Sequence, residues 1–407
     1  MPPMDFNDSP EETAWRNECR AWLAANAPAV VTTGDRDPGS FEPTGDDYLV
    51  RARRWQAMKF DAGFARITWE PEFGGRNGTT MQQIIFGQEE ARFAVPTEVF
   101  IIGLGMIAPT LRACGTDQQQ QRYLTKLLRG EEIWSQLFSE PGAGSDVASL
   151  STTAVRDGDE WVINGQKVWT SGAQHSDFGE IVCRTNPEAE KHKGITAFIV
   201  DMRAPGITIK PIKQINGGSG FNEVFFDDVH VPADHVLGGV HEGWTVAITT
   251  LMNERVAIGS GGGAGGRGTV QDLIELARRR GLHTDPLVRQ RLADLYTKSR
   301  IQKFSGMRSL TAASQGKVPG PEGSIGKLFG GRVLTEMGEL AIDLVGAGAI
   351  AQADSDYRWH QPLLGAPAAH IAGGSDEVMK NIIGERVLGL PGEPRVDKGV
   401  PWRDVLR

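Results

Sequence analysis

The hydrophobic period of this chain changes twice, and that double change constrains its fold more than any other feature. From Ser9 to about Trp134 the pattern is mostly helical, as in Trp15, Cys19, Trp22 and Leu23. Ser9 and Pro10 with Glu12 read as a capped start to that first helix. Between Thr68 and Gly78, Trp69, Pro71, Gly74 and Gly75 punctuate the helices with a loop. From about Ile133 to Leu237 the pattern alternates, with β-branched and aromatic residues gathered in Glu160–Asn164, Ile195–Val200 and Glu223–Phe226. Asp157-Gly158 and Asn164-Gly165 sit between such runs and supply positive φ, which predicts two hairpins. Helical spacing returns from Gly243 to about Leu390, with Gln271–Arg280, Val288–Thr311 and Ile325–Val345 as the longest candidates. The expected organisation is a helical domain over 1–132, an antiparallel β domain over 133–238, a helical domain over 239–392 and a loosely held tail over 393–407.

Composition narrows the class. A length of 407 residues suggests two or three cores, and 40% apolar with 23% charged residues is ordinary for a folded chain. The net charge of −8, with no dense Lys/Arg run, argues against nucleic-acid binding. No apolar run is long enough to span a bilayer, and the opening Asp5, Asp8, Glu11 and Glu12 do not read as a signal peptide. Cys19, Cys114 and Cys183 are widely spaced and read as reduced thiols of a cytoplasmic protein. The histidines show no metal-ligand spacing, so no metal is expected. A formal G-x-G-x-x-G at Gly261, Gly263 and Gly266 has no preceding strand, and close helix packing or a helix end explains it better than a nucleotide.

The segment Gln136 to Asp146 joins a strand to a small-residue turn containing Ser139, Glu140, Pro141, Gly142, Gly144 and Ser145. Such a turn either lets backbone amides approach a ligand or is a plain Pro-Gly surface turn; spacing alone leaves both open. Leu137–Asp146 resembles the flavin-binding signature of the acyl-CoA dehydrogenase family, and Lys167–Gly172 resembles its second flavin-contacting strand. With Asn253-Glu254-Arg255 and the closing Gly373–Ile383, the resemblance covers nearly the whole chain.

That resemblance implies an α+β fold: an N-terminal α domain, a middle antiparallel β-barrel domain and a C-terminal four-helix bundle. It implies bound FAD, an acyl-CoA substrate dehydrogenated to the trans-2-enoyl-CoA, and an electron-transfer flavoprotein as acceptor. A homodimer or homotetramer is expected, with a heterotetramer left open. Leu137, Phe138, Ser139, Gly144, Ser145, Trp169, Thr170 and Ser171 are the implied cofactor residues, Phe138 and Ser139 at the isoalloxazine edge and Ser171 near flavin N5. On its own, Trp169 reads as a strand aromatic packed in the β domain. Ser145, Arg255, Gly373 and Gly374 are implied on the substrate side, Ser145 near the CoA arm and the Gly373 N–H toward the thioester carbonyl.

The reaction needs a carboxylate facing a water-poor cleft. Much of the family places it just before a Gly-Thr pair in the C-terminal loop, where this chain has Gly373. A second group places it on the helix after the β domain, and the matching residue is Glu254. Trp244, Ala247, Leu251, Glu254 and Ile258 recur at steps of three and four, which predicts that Glu254 is substantially buried. The competing reading is a Glu254 that ties helices together through a basic partner.

The family's Arg-x-x-Phe-Gly element, which reaches a neighbouring subunit's FAD, is not recognisable near Ala277–Asp285; Arg278, Arg279 and Arg280 are either substitutes or a solvated helix end. Two alternatives stay open. One is an oxygen-using relative, an acyl-CoA oxidase or flavin monooxygenase. The other is a half-active subunit of a heterotetramer, with a steroid side-chain thioester among the conceivable substrates.

Overall fold

A computed structural model describes residues 8–28, 47–259, 269–314, 320–351, 356, 359–394 and 397–405, with the side chains of 255–259, 310 and 313–314 outside that description. Helix α1 (Pro10–Asn26) starts at a capping box in which Ser9 and Glu12 satisfy each other's backbone amides. Trp15, Cys19 and Leu23 bury its inner face against α3 (Thr80–Glu90) and the end of α2 (Tyr48–Asp61). A π-helical turn, Gly103–Ile107, leads into α4 (Ala108–Cys114), and α5 (Asp117–Arg129) completes this block.

The strands are β1 (Trp134–Leu137), β2 (Thr153–Asp157), β3 (Glu160–Ser171), β4 (Phe178–Arg184), β5 (Ile195–Asp201), β6 (Ile207–Ile212), β7 (Phe221–Pro232) and β8 (Val236–Leu237). They pair in the order β6-β7-β3-β2-β4-β5-β8, with β1 added beside β4. Most pairs are antiparallel, but β1 and the first residue of β2 run parallel to β4, so the sheet is mixed where a purely antiparallel one was expected. The β1–β4 pair forms because a long excursion through β2 and β3 returns the chain alongside β1.

Only one of the two expected hairpin turns is a hairpin. Asp157 pairs with Glu160 across a two-residue loop in which Gly158 takes φ +56°. Asn164-Gly165 instead lies inside β3 as a bulge against β7, with Gly165 at φ +149°. A Cβ at Gly165 would stand 2.5 Å from the Thr152 Oγ1, so this glycine serves a close backbone approach.

Helix α6 (Gly243–Gly259) follows the sheet, and α7 (Val270–Arg279), α8 (Pro286–Ser314), α9 (Gly323–Val345), α10 (His360–Ile371) and α11 (Asp376–Ile382) form the C-terminal helical layer. Its core joins Leu273 and Leu276 to Leu295, Met337, Leu340, Leu344 and Trp359. One face of the sheet, with Trp134, Phe138, Val182 and Ile199, packs against Ile107, Leu111, Leu124, Val246 and Ala247 of the helices. The other face closes on itself through Leu137, Ile181, Phe198, Val200, Val224 and Phe226. Helix α6 is therefore wedged between the sheet and both helical blocks.

The tail is held more firmly than its composition predicts. Over residues 397–405 Asp397 pairs with Lys191, the Trp402 amide donates to the Ala189 carbonyl at 2.8 Å, and the Trp402 ring lies 4.7 Å from the buried Arg184 guanidinium. Cys19, Cys114 and Cys183 are free thiols. Among the described residues no helix is long and apolar enough to cross a membrane.

Candidate active site

The two glycine- and serine-rich motifs meet at a buried ion pair. Lys167 of β3 has no exposed surface, and its ammonium lies 2.7 Å from Glu140 Oε1 and 3.1 Å from the Phe138 carbonyl. Glu140 also accepts from the Ser151 and Thr152 amides, at 2.6 and 2.9 Å. The Val168 amide donates to the Ser139 carbonyl at 2.9 Å, which fixes β3 beside the turn after β1. Burial alone would lift the Glu140 carboxyl, but the Lys167 charge and hydrogen bond, with the Thr152 and Ser151 contacts, outweigh it and hold the group below its ordinary range. Such a pair is favourable only when its remaining hydrogen-bonding capacity is met, as here. Sequence reasoning did not single out this pair; a lysine inside an alternating strand and a glutamate beside Pro-Gly were its only signals.

The candidate flavin residues divide by exposure. Leu137 and Phe138 are buried, Leu137 within the inner face of the sheet, so its backbone is what it presents toward the turn. Ser139 and Ser171 are half-buried, while Gly144 and Ser145 are exposed. Thr170 is buried, and its hydroxyl lacks a hydrogen-bond partner among the described residues. Trp169 is not packed in the β domain: it is 58% exposed at a second irregularity of the β3–β7 register, with φ +60° and an edge-to-face contact to Phe221 at 6.0 Å. A bulky residue in the left-handed region is strained, and the strain here displays an indole to solvent. A flat aromatic face flanked by two half-buried serines and an orphaned threonine hydroxyl fits the isoalloxazine of a flavin.

Helix α6 turns Thr250 to the sheet beside Val246 and Ala247, where the expected stripe ran through Trp244, Ala247, Leu251, Glu254 and Ile258. The buried positions are Val246, Ala247 and Thr250, whereas Trp244, Leu251 and Glu254 are half-buried. The inward stripe is thus rotated by about one residue, and Glu254 lies at its margin, half-buried. Thr250 Oγ1 is 2.8 and 3.0 Å from the two carboxylate oxygens of Glu180 on β4 and 3.0 Å from Thr110 Oγ1 on α4. Asn253, next to Glu254, donates to the same Thr110 oxygen at 3.3 Å. Glu180 is fully buried, and burial pushes its carboxyl up to about 8, against a smaller downward pull from the Thr250 hydrogen bond. This carboxyl is the chief feature the sequence reading missed, since one glutamate in Phe178–Arg184 looks like a solvent-facing strand position.

Gly373 and Gly374 link α10 to α11 at φ +68° and +94°. Ser375 caps α11, and Asp376 and Glu377 occupy its first turn. Arg279, exposed in the last turn of α7, and the half-buried Arg280 each reach Asp356 at 3.0 Å. Arg278 pairs with Glu275 and lines a cavity of about 250 Å³ with Ile274, His283, Arg289 and Leu292. The Arg255 side chain and Gly261, Gly263 and Gly266 lie outside the described residues.

Two helical blocks pack around a mixed sheet, with the exposed Trp169 and half-buried Ser171 on β3 and Ser139 on the turn after β1, an arrangement that suits a flavin-dependent oxidoreductase. The N-terminal, middle and C-terminal domain families of acyl-CoA dehydrogenase match residues 9–131, 135–229 and 241–388. Acyl-CoA dehydrogenase IpdE1 of Mycobacterium tuberculosis is 38% identical over 384 residues, covering 94% of this chain and 98% of that protein. Among solved structures, the Tcur3481-Tcur3483 steroid ACAD superposes with a TM-score of 0.82 at 28% identity, over 96% of this chain and all of that one. The ChsE4-ChsE5 complex from Mycobacterium tuberculosis gives 0.78 at 28% identity, over the same share of each chain. The chain belongs to the acyl-CoA dehydrogenase family. It is an oxidoreductase of a family whose cofactor is FAD.

Proposed function

We propose that this protein catalyses α,β-dehydrogenation of an acyl-CoA thioester with Glu254 as the base, as one subunit of a heteromeric enzyme acting on a steroid-derived acyl group. One observation carries the reading: the loop position that holds the base in much of the family is Gly373, while Glu254 stands half-buried on α6. Glu254 takes the α proton onto its carboxylate, and the Gly373 N–H stabilises the negative charge that gathers on the thioester oxygen. FAD, when bound, accepts the hydride that leaves the β carbon. Phe138, Ser139, Gly144, Trp169, Thr170 and Ser171, with the Leu137 backbone, would hold it, with Ser171 on the side of N5. Ser145 is exposed and suits the CoA arm, and Arg255 and Gly374 complete the substrate side. An electron-transfer flavoprotein then reoxidises the enzyme.

The heteromeric and steroid parts of the reading rest on two supports. Similar structures are named as a steroid ACAD and as a two-component complex. In addition, Arg279 and Arg280 are engaged with Asp356, which favours a distinct partner chain for completing the FAD contacts that the Arg-x-x-Phe-Gly element makes elsewhere.

The test is anaerobic titration of the flavin-loaded enzyme, with its partner chain where co-expression supplies one, against straight-chain and steroid-derived acyl-CoA thioesters. Bleaching of the flavin by a steroid-derived thioester, faster than by straight chains of any length, is expected. Equal or faster bleaching by a straight-chain thioester overturns the steroid assignment, and bleaching by none overturns the dehydrogenation.

A further inference from the structure

We infer that His370 and Asp376 form a clamp across the Gly373-Gly374 turn that fixes the Gly373 amide for the thioester carbonyl, which makes both of them positioning residues. The inference rests on the dehydrogenase reading above. Two successive glycines in positive φ are the most pliable linker a backbone offers, and ordering them costs more entropy than ordering other residues. An amide in such a turn stabilises a developing oxyanion only if something else holds it still.

The turn is closed from both sides. His370, in the last turn of α10, places Nδ1 2.8 Å from Asp376 Oδ2 in the first turn of α11. Its other nitrogen, Nε2, is 2.9 Å from Thr335 Oγ1 on α9. Lys327, two turns earlier on α9, stands 3.5 Å from Asp376 Oδ1. Helices α10 and α11 are therefore tied to each other and to α9 around the glycines. Gly331 makes room for the ring, since a Cβ there would come within 3.3 Å of it. Burial alone would lift the Asp376 carboxyl, but the His370 hydrogen bond and charge, with Lys327, outweigh it and hold the group below its ordinary range.

A helix-capping role does not account for the cluster. Ser375 already caps α11 through the Val378 amide, and an aspartate in the first turn needs no histidine to favour the helix dipole. Nor does the ring's charge matter to the geometry. Nδ1–H donates to Asp376 in both forms of the ring, and the Thr335 hydroxyl either donates to Nε2 or accepts from it.

The test uses His370→Leu and Asp376→Ala to break the clamp, and Asp376→Asn to keep an acceptor for Nδ1–H. A 3-thia-acyl-CoA serves as probe, because it can lose its α proton but has no β hydrogen to transfer; its enolate gives a charge-transfer band against bound flavin. The clamp predicts faster amide exchange in the 372–376 peptide and a weaker enolate band in both breaking variants. It also predicts a kcat about tenfold lower with KM within about twofold, and near-normal behaviour for Asp376→Asn. Where one breaking variant does not fold, amide exchange and the band in the other decide. A normal band and kcat in folded His370→Leu or Asp376→Ala, with the band lost in Glu254→Gln, overturn the clamp and leave the base assignment standing. A normal band in Glu254→Gln overturns the reading on which the clamp depends.

Discussion

The hydroxyl of Thr250 lies within hydrogen-bonding distance of both carboxylate oxygens of Glu180, joining the helix that carries Glu254 to strand β4 of the sheet. Through Thr110 and Asn253 the same contact reaches the N-terminal helical block. A fully buried acid raised to about 8 is mostly neutral at pH 7, so this junction is a network of uncharged hydrogen bonds.

The stability consequence has a definite sign. Glu180 holds in the folded state a proton that the unfolded chain releases above its ordinary value of 4.5, so its contribution becomes steadily less favourable from there up to about pH 8. At pH 7 the cost is on the order of 3 kcal/mol. Glu180→Gln keeps the hydrogen-bonding shape without an ionisation. Its melting temperature is expected to exceed that of the wild type at pH 8 and to converge with it near pH 5, in thermal unfolding followed across that range.

Lys167→Met strands the Glu140 carboxylate in a buried site, a change that typically costs about 3–5 kcal/mol. Since Glu140 is held below its ordinary value of 4.5, the pair's stabilisation is present above that pH and is lost as pH falls through the folded value. Denaturant unfolding should therefore show the variant's deficit in full at pH 7 and diminished in acid. Because Glu140 and Lys167 hold Phe138 and Ser139 in place, the flavin-to-protein absorbance ratio should fall as well.

Trp169 separates folding from function. Trp169→Gly relieves the strain of φ +60° and gives up only an exposed indole, so the flavin-free chain should melt within about 1 kcal/mol of the wild type or above it. Flavin affinity, read by fluorescence quenching, should weaken about tenfold or more, the loss of one aromatic contact being worth on the order of 1.4 kcal/mol. A variant that melts much earlier yet binds flavin normally would make Trp169 a folding residue.

What the sequence made legible was local. Ser9, Pro10 and Glu12 announce the first helix because a capping box depends on neighbours only, and Asp157-Gly158 marks its hairpin for the same reason. Asn164-Gly165 misled because the same dipeptide serves a bulge when a second backbone, here at Thr152, approaches it. Trp169 and Ser171 were found through motif resemblance, but the exposure of Trp169 follows from a register shift with Phe221–Asn222, far along the chain. Lys167–Glu140 and Glu180–Thr250 are partnerships across 27 and 70 residues, which no periodicity encodes. The one-residue rotation of the α6 stripe has the same origin, because contact with Glu180 and Thr110 draws Thr250 inward in place of Leu251.

The most direct trial of the account is single-turnover reduction of the flavin in Glu254→Gln, mixed anaerobically with the thioester that reduces the wild type fastest. The amide should leave flavin content unchanged and slow bleaching by about 10²- to 10⁴-fold, the range a general base contributes. Bleaching at the wild-type rate would mean that another group takes the proton and that Glu254 serves only to join helices.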